Sequence, residues 1–352
     1  MFIWVQVLRG MAATMVVCHH YVAAQAKRGM TSGQEFLFGG AGVDIFFVIS
    51  GFIMTISQSD AIGPRPARVF LLRRLLRIAP LYWMLTATAY SLATVAAGMV
   101  NAEFSARKFI MSMLFLPYSA GTIDMGAHGY RAYVLPMAWT LTFEWWFYLL
   151  FALALALGMR PLARLGFIAC CFIAGMIAGI GFSLSAPLLQ VLSSPLLLEF
   201  LLGCVVAVLY LHDIRLKNWQ AMLLALAAAT VLVDAVQDSA ATRLLTWGVA
   251  AFVLVAAAVL TNEAKVTPSI ALRPLIRLGD ISYSLYLSHF FTLALFVRMQ
   301  KHLTPLGDGF GVPSILVFLL LAWNVAALCH RFIEEPARTI LARRKSAPRL
   351  AG

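Results

Sequence analysis

Runs of about 18 to 25 mostly apolar residues recur along this chain from one end to the other, each long enough to cross a bilayer core about 30 Å thick. A chain with that pattern has lipid as its solvent. Its spanning segments must satisfy their backbone hydrogen bonds internally, which makes them helices. Composition agrees: 62% of residues are hydrophobic and 12% charged, about half the charged share of a soluble domain. The expected fold class is therefore an all-α polytopic membrane protein.

Windows of about 19 residues place ten transmembrane helices near 4–24, 38–57, 78–100, 135–158, 164–184, 195–212, 218–236, 243–261, 281–299 and 312–334. An apolar stretch at 107–117 is too short to cross and reads as a re-entrant or interfacial helix. Alternate loops differ in Lys and Arg. With the N-terminus inside, seventeen of the 27 fall on the inner side, eight on the outer side, and Arg9 and Arg331 lie within spans. The orientation expected is N-in, C-in. The net charge of +12 thus reads as topology-setting loop charge, with no nucleic acid implied. The first apolar stretch lacks a basic leader and holds Arg9 and His20, so it reads as a working helix rather than a cleavable signal. The five cysteines (Cys18, Cys170, Cys171, Cys204 and Cys329) lie in apolar helices at no metal-like spacing, and free, buried thiols are expected. No internal repeat of the transporter type is visible. One transmembrane domain over 1–338 and a basic cytoplasmic tail over 339–352 are expected.

Charged groups at bilayer depth cost at least about 2.5–3.5 kcal/mol, so each is a functional candidate. Here they are Arg9, His20, Asp44, Glu144, Glu199 and His289. Snorkelling or a buried structural ion pair is the alternative for each. Arg9 and His20 are eleven residues apart, about 20° from a whole number of turns, so they share a face about 16 Å apart along the axis. An arginine near the cytoplasmic end and an imidazole deeper in suit an extended anionic substrate. The adjacent His19 is rotated by about 100° and cannot face the same site.

Arg73, Arg74 and Arg77 in "RVFLLRRLLRIAPLYW" precede the third span. They read either as positive-inside anchors or as a phosphate clamp. In "AWTLTFEWWFYLLF", Glu144 and Tyr148 are an i,i+4 pair beside Trp139, Trp145 and Trp146. In "LGDISYSLYLSHF", Ser282, Tyr286 and His289 form a polar stripe on one helix face, a pattern that interhelical hydrogen bonding also produces.

At these residues the sequence resembles the multi-span membrane enzymes called acyltransferase family 3. "LRGMAATMVVCHH" is similar to the family's opening motif, an arginine followed by an essential histidine, matching Arg9 and His20. "GVDIFFVISGFIM", with Asp44, Ser50 and Gly51, resembles the second-span motif. "LLRRLLRIAPLYW" resembles the basic motif at Arg74 and Arg77. "WTLTFEWWFY" resembles a Trp-Ser-Leu segment, with Thr140 in place of the commoner serine. "LLEFLLG" around Glu199, "SYSLYLSH" ending at His289, and "IEEP" ending at Pro336 complete the series. Within the family, the exopolysaccharide (succinoglycan-type) acetyltransferases look most similar.

The resemblance implies transfer of an acyl group, usually acetyl, from cytoplasmic acetyl-CoA to a hydroxyl of a glycan or lipid-linked glycan. It also implies a bacterial inner membrane and, as partners, the bilayer and polysaccharide assembly proteins; no metal is implied. On this reading Arg9, Arg74 and Arg77 bind the phosphates of coenzyme A and His20 is the general base. Asp44, or else Glu144, orients His20, and Tyr148 or Ser50 helps hold the oxyanion. Trp139, Ser282, Tyr286 and His289 face the acceptor. A covalent acyl-histidine route stays open. The rival class is a transporter or flippase of a lipid-linked saccharide, in which the same charges form a substrate or proton path. A third is a sensor or assembly protein without chemistry.

Overall fold

A computed structural model describes residues 2–32, 36–95, 105–118, 133–181, 187–235, 239–261, 270–302 and 312–346. Its elements are α1 (Ile3–Ala26), α2 (Gly42–Ser57), α3 (Pro64–Val95), α4 (Ala106–Met113), α5 (Ala138–Ala156), α6 (Pro161–Gly181), α7 (Pro187–Leu192) and α8 (Leu197–Leu211). There follow α9 (Asn218–Asp234), α10 (Ala240–Arg243), α11 (Val249–Val259), α12 (Arg273–Asp280), α13 (Ser282–His302), α14 (Val312–Cys329) and α15 (Glu335–Ser346). Pi-helical turns at Leu244–Gly248 and His330–Glu334 join α10 to α11 and α14 to α15. Among the described residues there is no strand, only an isolated bridge between Leu216 and Thr261.

Every expected span falls on a helix, although residues 96–100, 182–184 and 236 of three spans lie outside the described residues. Six continuous helical stretches among the described residues, Leu37–Ser57, Ala138–Ala156, Pro161–Gly179, Pro187–Leu211, Ala240–Val259 and Pro313–Ile340, several joining neighbouring elements, are long and apolar enough to cross a membrane. They make the chain an integral membrane protein. A seventh is possible if α12 and α13, which meet at 72°, count as one broken span. Polarity keeps others below that mark: α1 carries Gln6, Arg9, His19, His20 and Gln25, and α3 carries five arginines. α9, at 17 residues, is too short. The count of ten and the N-in orientation rest on sequence patterning.

Two expectations need correction. The third helix begins at Pro64, well before the expected span start near 78, so the arginine motif placed before the span is continuous with it in one helix. Pro64 opens it where a missing N–H costs nothing, and the Leu/Arg-rich run that follows has high helix propensity. The thiols are not all buried: Cys170 is exposed, on a helix whose apolar face is turned outward. The 107–117 stretch forms α4, capped by the Ser105 side chain on the Lys108 N–H. It is fastened to α3 by Tyr82 Oη donating to Ser112 O (2.7 Å) and Trp83 Nε1 donating to Met113 O (2.8 Å). Residues 347–352 of the expected tail lie outside the described residues, while 339–346 continue α15.

Glycines set the closest crossings. A Cβ on Gly51 would lie 2.0 Å from Phe200 O, and one on Gly203 would lie 2.0 Å from Val48 O. Only glycine lets the α2 and α8 backbones meet there. The α1–α12 crossing is similar, with Gly279 packed on Gln6 O and Gly10 on Leu278. With the packing of α1 on both α2 and α13, these crossings frame one interior space. α6 and α14 bury little of their apolar surface, which is turned outward.

Candidate active site

Arg9 is held in the N-terminal part of α1. Its Nη1 donates to Gln6 Oε1 (2.8 Å) and its Nη2 to Ser282 Oγ (2.9 Å), while Gln6 Nε2 donates to Asp280 Oδ1 (3.1 Å). The bend between α12 and α13 makes this possible, since it places Ser282 beside the close α1–α12 crossing. On α3, Arg68 and Arg73 are exposed while Arg74 and Arg77 are half-buried and turn inward. The Arg74 guanidinium lies 5.4 Å from the centroids of both Phe70 and Tyr148, a cation–π setting.

These side chains surround a cavity of about 320 Å³. Its polar wall includes Arg9, Arg74, Arg77, Arg338, Glu144 and Ser282; its apolar wall includes Val43, Phe46, Phe47 and Leu141. Glu144 Oε1 accepts from Ser50 Oγ (3.0 Å) and from Tyr148 Oη. Glu144 is thus tied to the cavity, not to a histidine. Tyr286 and Thr140 complete one end of the wall, and their hydroxyls are hydrogen-bonded at 2.9 Å.

Behind Tyr286, whose ring is 6.2 Å from that of His289, lies a histidine pair. His289 Nδ1 is 3.2 Å from Leu285 O, and His289 Nε2 is 3.2 Å from His20 Nδ1. A carbonyl can only accept, so Nδ1 of neutral His289 carries its proton and Nε2 accepts. His20 must then donate through Nδ1, which leaves its Nε2 bearing the basic lone pair. Neither histidine is among the residues lining the 320 Å³ cavity. His19 places Nδ1 3.2 Å from Phe36 O, and its ring packs edge-on against that of His20 with centroids 5.3 Å apart.

The sequence-selected residues therefore divide into groups. Arg9, Arg74, Arg77, Glu144, Ser282 and Tyr286 meet at one cavity, with Tyr148 bonded to it through Glu144. His20 and His289 form the adjoining pair. Asp44, expected to orient His20, is instead committed to Arg243: Oδ1 accepts from Nε (2.9 Å) and Oδ2 from Nη2 (2.7 Å), with both residues buried. Asp44 lies in the first turn of α2, where the α10 arginine can reach it. Trp139, assigned to the acceptor, packs edge-on against Phe47 and Phe143 instead of lining the cavity. Glu199 is fully buried beside the Asp44–Arg243 pair, within electrostatic reach of both. Among the described residues, no group of three or more His, Cys, Asp or Glu could hold a metal ion.

Sequence reasoning missed Gln6, Arg243, Glu334 and Arg338. Arg243 and Arg338 looked like ordinary loop and tail charges, and Gln6 carried no charge to single it out. Glu334 had a signal, since it belongs to the "IEEP" motif.

A fold of apolar helices enclosing arginines, a carboxylate and a histidine pair is the make-up of an integral membrane acyltransferase. The comparisons agree: the family model described as an acyltransferase domain, type 3, matches residues 2–329, and the chain belongs to that family. It is 30% identical over 312 residues to the exopolysaccharide production protein ExoZ of Rhizobium meliloti, covering 87% of this chain and 91% of that protein. No solved structure matches significantly.

Proposed function

We propose that this acyltransferase moves an acetyl group from cytoplasmic acetyl-CoA to a hydroxyl of an exported polysaccharide or its lipid-linked precursor, in a bacterial inner membrane. The relative's name, which refers to exopolysaccharide production, suggests the acceptor class. The observation that carries the chemistry is the hydrogen-bond chain Leu285 O, His289, His20. It sets the His20 tautomer, so Nε2 is the atom able to take the proton of an attacking hydroxyl.

In this reaction the arginine end of the cavity holds the carrier's phosphates and the apolar walls take its pantetheine arm. Tyr286 stands between that arm and the histidines, so its hydroxyl must give way or reorient for the thioester to meet His20. As the acceptor oxygen bonds to the thioester carbonyl carbon, its proton passes to His20 Nε2. When the carbon–sulfur bond breaks, that proton passes to the departing thiolate. No net proton is consumed. His289 is a positioning residue on this account, and Asp44 is a structural one.

The test is acetyl transfer by purified protein in detergent, with radiolabelled acetyl-CoA and a polysaccharide or lipid-linked acceptor from the producing cell. Acetyl-CoA-dependent labelling of the glycan supports the reading. Saccharide movement across vesicles without acyl transfer would replace it with the flippase class.

A further inference from the structure

Four guanidinium groups line the cavity, and the fourth comes from an unexpected part of the chain. Arg338 lies on α15, beyond residue 329, where the match to the family's domain ends. Arg9 lies within electrostatic reach of both Arg77 and Arg338, so cations from α1, α3 and α15 converge. Among the residues lining the cavity, Glu144 is the acid set against them. Behind the lining, Glu334 and Asp280 offset part of this charge, and the four guanidinium groups still outnumber these three carboxylates, an excess that an anionic ligand would neutralise.

Arg338 is delivered by a built device. The π-helical turn at His330–Glu334 inserts a residue into the helix register and brings Glu334 to face inward, 1% exposed. There Glu334 Oε2 accepts from Ser284 Oγ (2.8 Å) on α13 and lies 3.1 Å from His330 Nδ1. Its other oxygen sits 3.7 Å from Arg338 Nη1. That separation is an ion pair but too long for a hydrogen bond, so Arg338 is steered by charge while its donors stay available to a ligand. α15 also packs on α3, beside the arginines of that helix.

We infer that Arg338 is a fourth phosphate-binding residue of the donor cavity, taking part of the nucleotide portion of acyl-coenzyme A, and that Glu334 is the positioning residue that holds it there. The inference rests on the donor reading above. It assigns to the end of the chain a role in ligand binding beyond membrane anchoring.

Binding of two probes to the purified full-length protein tests it: acetyl-CoA, and S-acetylpantetheine, which has the same thioester arm and no phosphates. Arg338→Ala should weaken acetyl-CoA binding roughly tenfold, as for one charge-assisted contact, and leave S-acetylpantetheine binding unchanged. Arg338→Lys should recover part of the loss, since a point charge remains without the planar fork. Arg331→Ala, an exposed cation on the same continuous helix, should alter neither ligand. Equal binding of acetyl-CoA by wild type and Arg338→Ala, or equal weakening of both probes, overturns the inference and leaves the donor reading standing. Wild-type protein that binds neither probe overturns both.

Discussion

At the scale of single residues, what matters is which polar side chain answers which. His20→Ala should lower acetyl transfer by at least about 10²-fold, with the protein still inserted and still binding acetyl-CoA. His19→Ala should do far less, because His19 is turned to Phe36 O. His289→Ala should fall between them, since it removes one of the acceptors that hold the His20 ring. A loss on His19→Ala with near-normal turnover in His20→Ala would sink the proton-transfer assignment. Asp44→Asn makes a different prediction: it removes the hydrogen-bonded counter-charge of buried Arg243, beside which Glu199 remains, and should cost up to about 3–5 kcal/mol of stability. Thermal unfolding in detergent would show it, and Asp44→Asn with Arg243→Gln should be more stable than Asp44→Asn alone. A stable but inactive Asp44→Asn would return Asp44 to the reaction. Arg9 and His20 were picked out because each is polar within one apolar helix, but their shared face did not foretell that Arg9 lines the cavity and His20 does not. Asp44 was legible as important but not in its role, because its partner lies 199 residues away on another helix.

At the scale of elements, apolar runs showed nearly every helix, while charge concealed part of one. The first turns of α3 fell outside the expected span because Arg65, Arg68 and Arg73 interrupt the apolar pattern. In the fold they form the exposed side of a helix whose other side aims Arg74 and Arg77 at the cavity. The bend between α12 and α13 left no clear sequence mark, yet it brings Ser282 to Arg9. The α2–α8 crossing offers a test of how closely elements must approach. Gly203→Val should force Val48 and Phe52 away, displace α2 with Ser50, and reduce both folded yield and transfer. Gly166→Ala on α6, where a Cβ would meet nothing within 4 Å, should be neutral or stabilising by up to about 1 kcal/mol. If Gly203→Val matched wild type in yield and transfer, the close backbone contact would not be what positions α2.

At the scale of the whole molecule, the all-helical membrane architecture was legible from patterning alone, and the assembled site was not. Arg9 meets Ser282 across 273 residues and Thr140 meets Tyr286 across 146. A single sequence carries periodicity but not the pairing of distant helices. Orientation remains a matter of loop charge. Reporter fusions after residue 100 should report outside, and those after residue 160 inside. The reverse pattern would put the arginine-lined cavity on the wrong side for a cytoplasmic donor.

The gathering of arginines at one end of the cavity, with apolar walls beyond, has a kinetic consequence. Those cations would grip the portion that a loaded carrier and a spent one have in common. The pocket then gains little selectivity for cargo from its strongest contacts, and discharged coenzyme A would occupy it nearly as well as the acetylated form. Flux through such an enzyme follows the cell's ratio of charged to discharged carrier, falling as the latter accumulates even when the supply of glycan is unchanged.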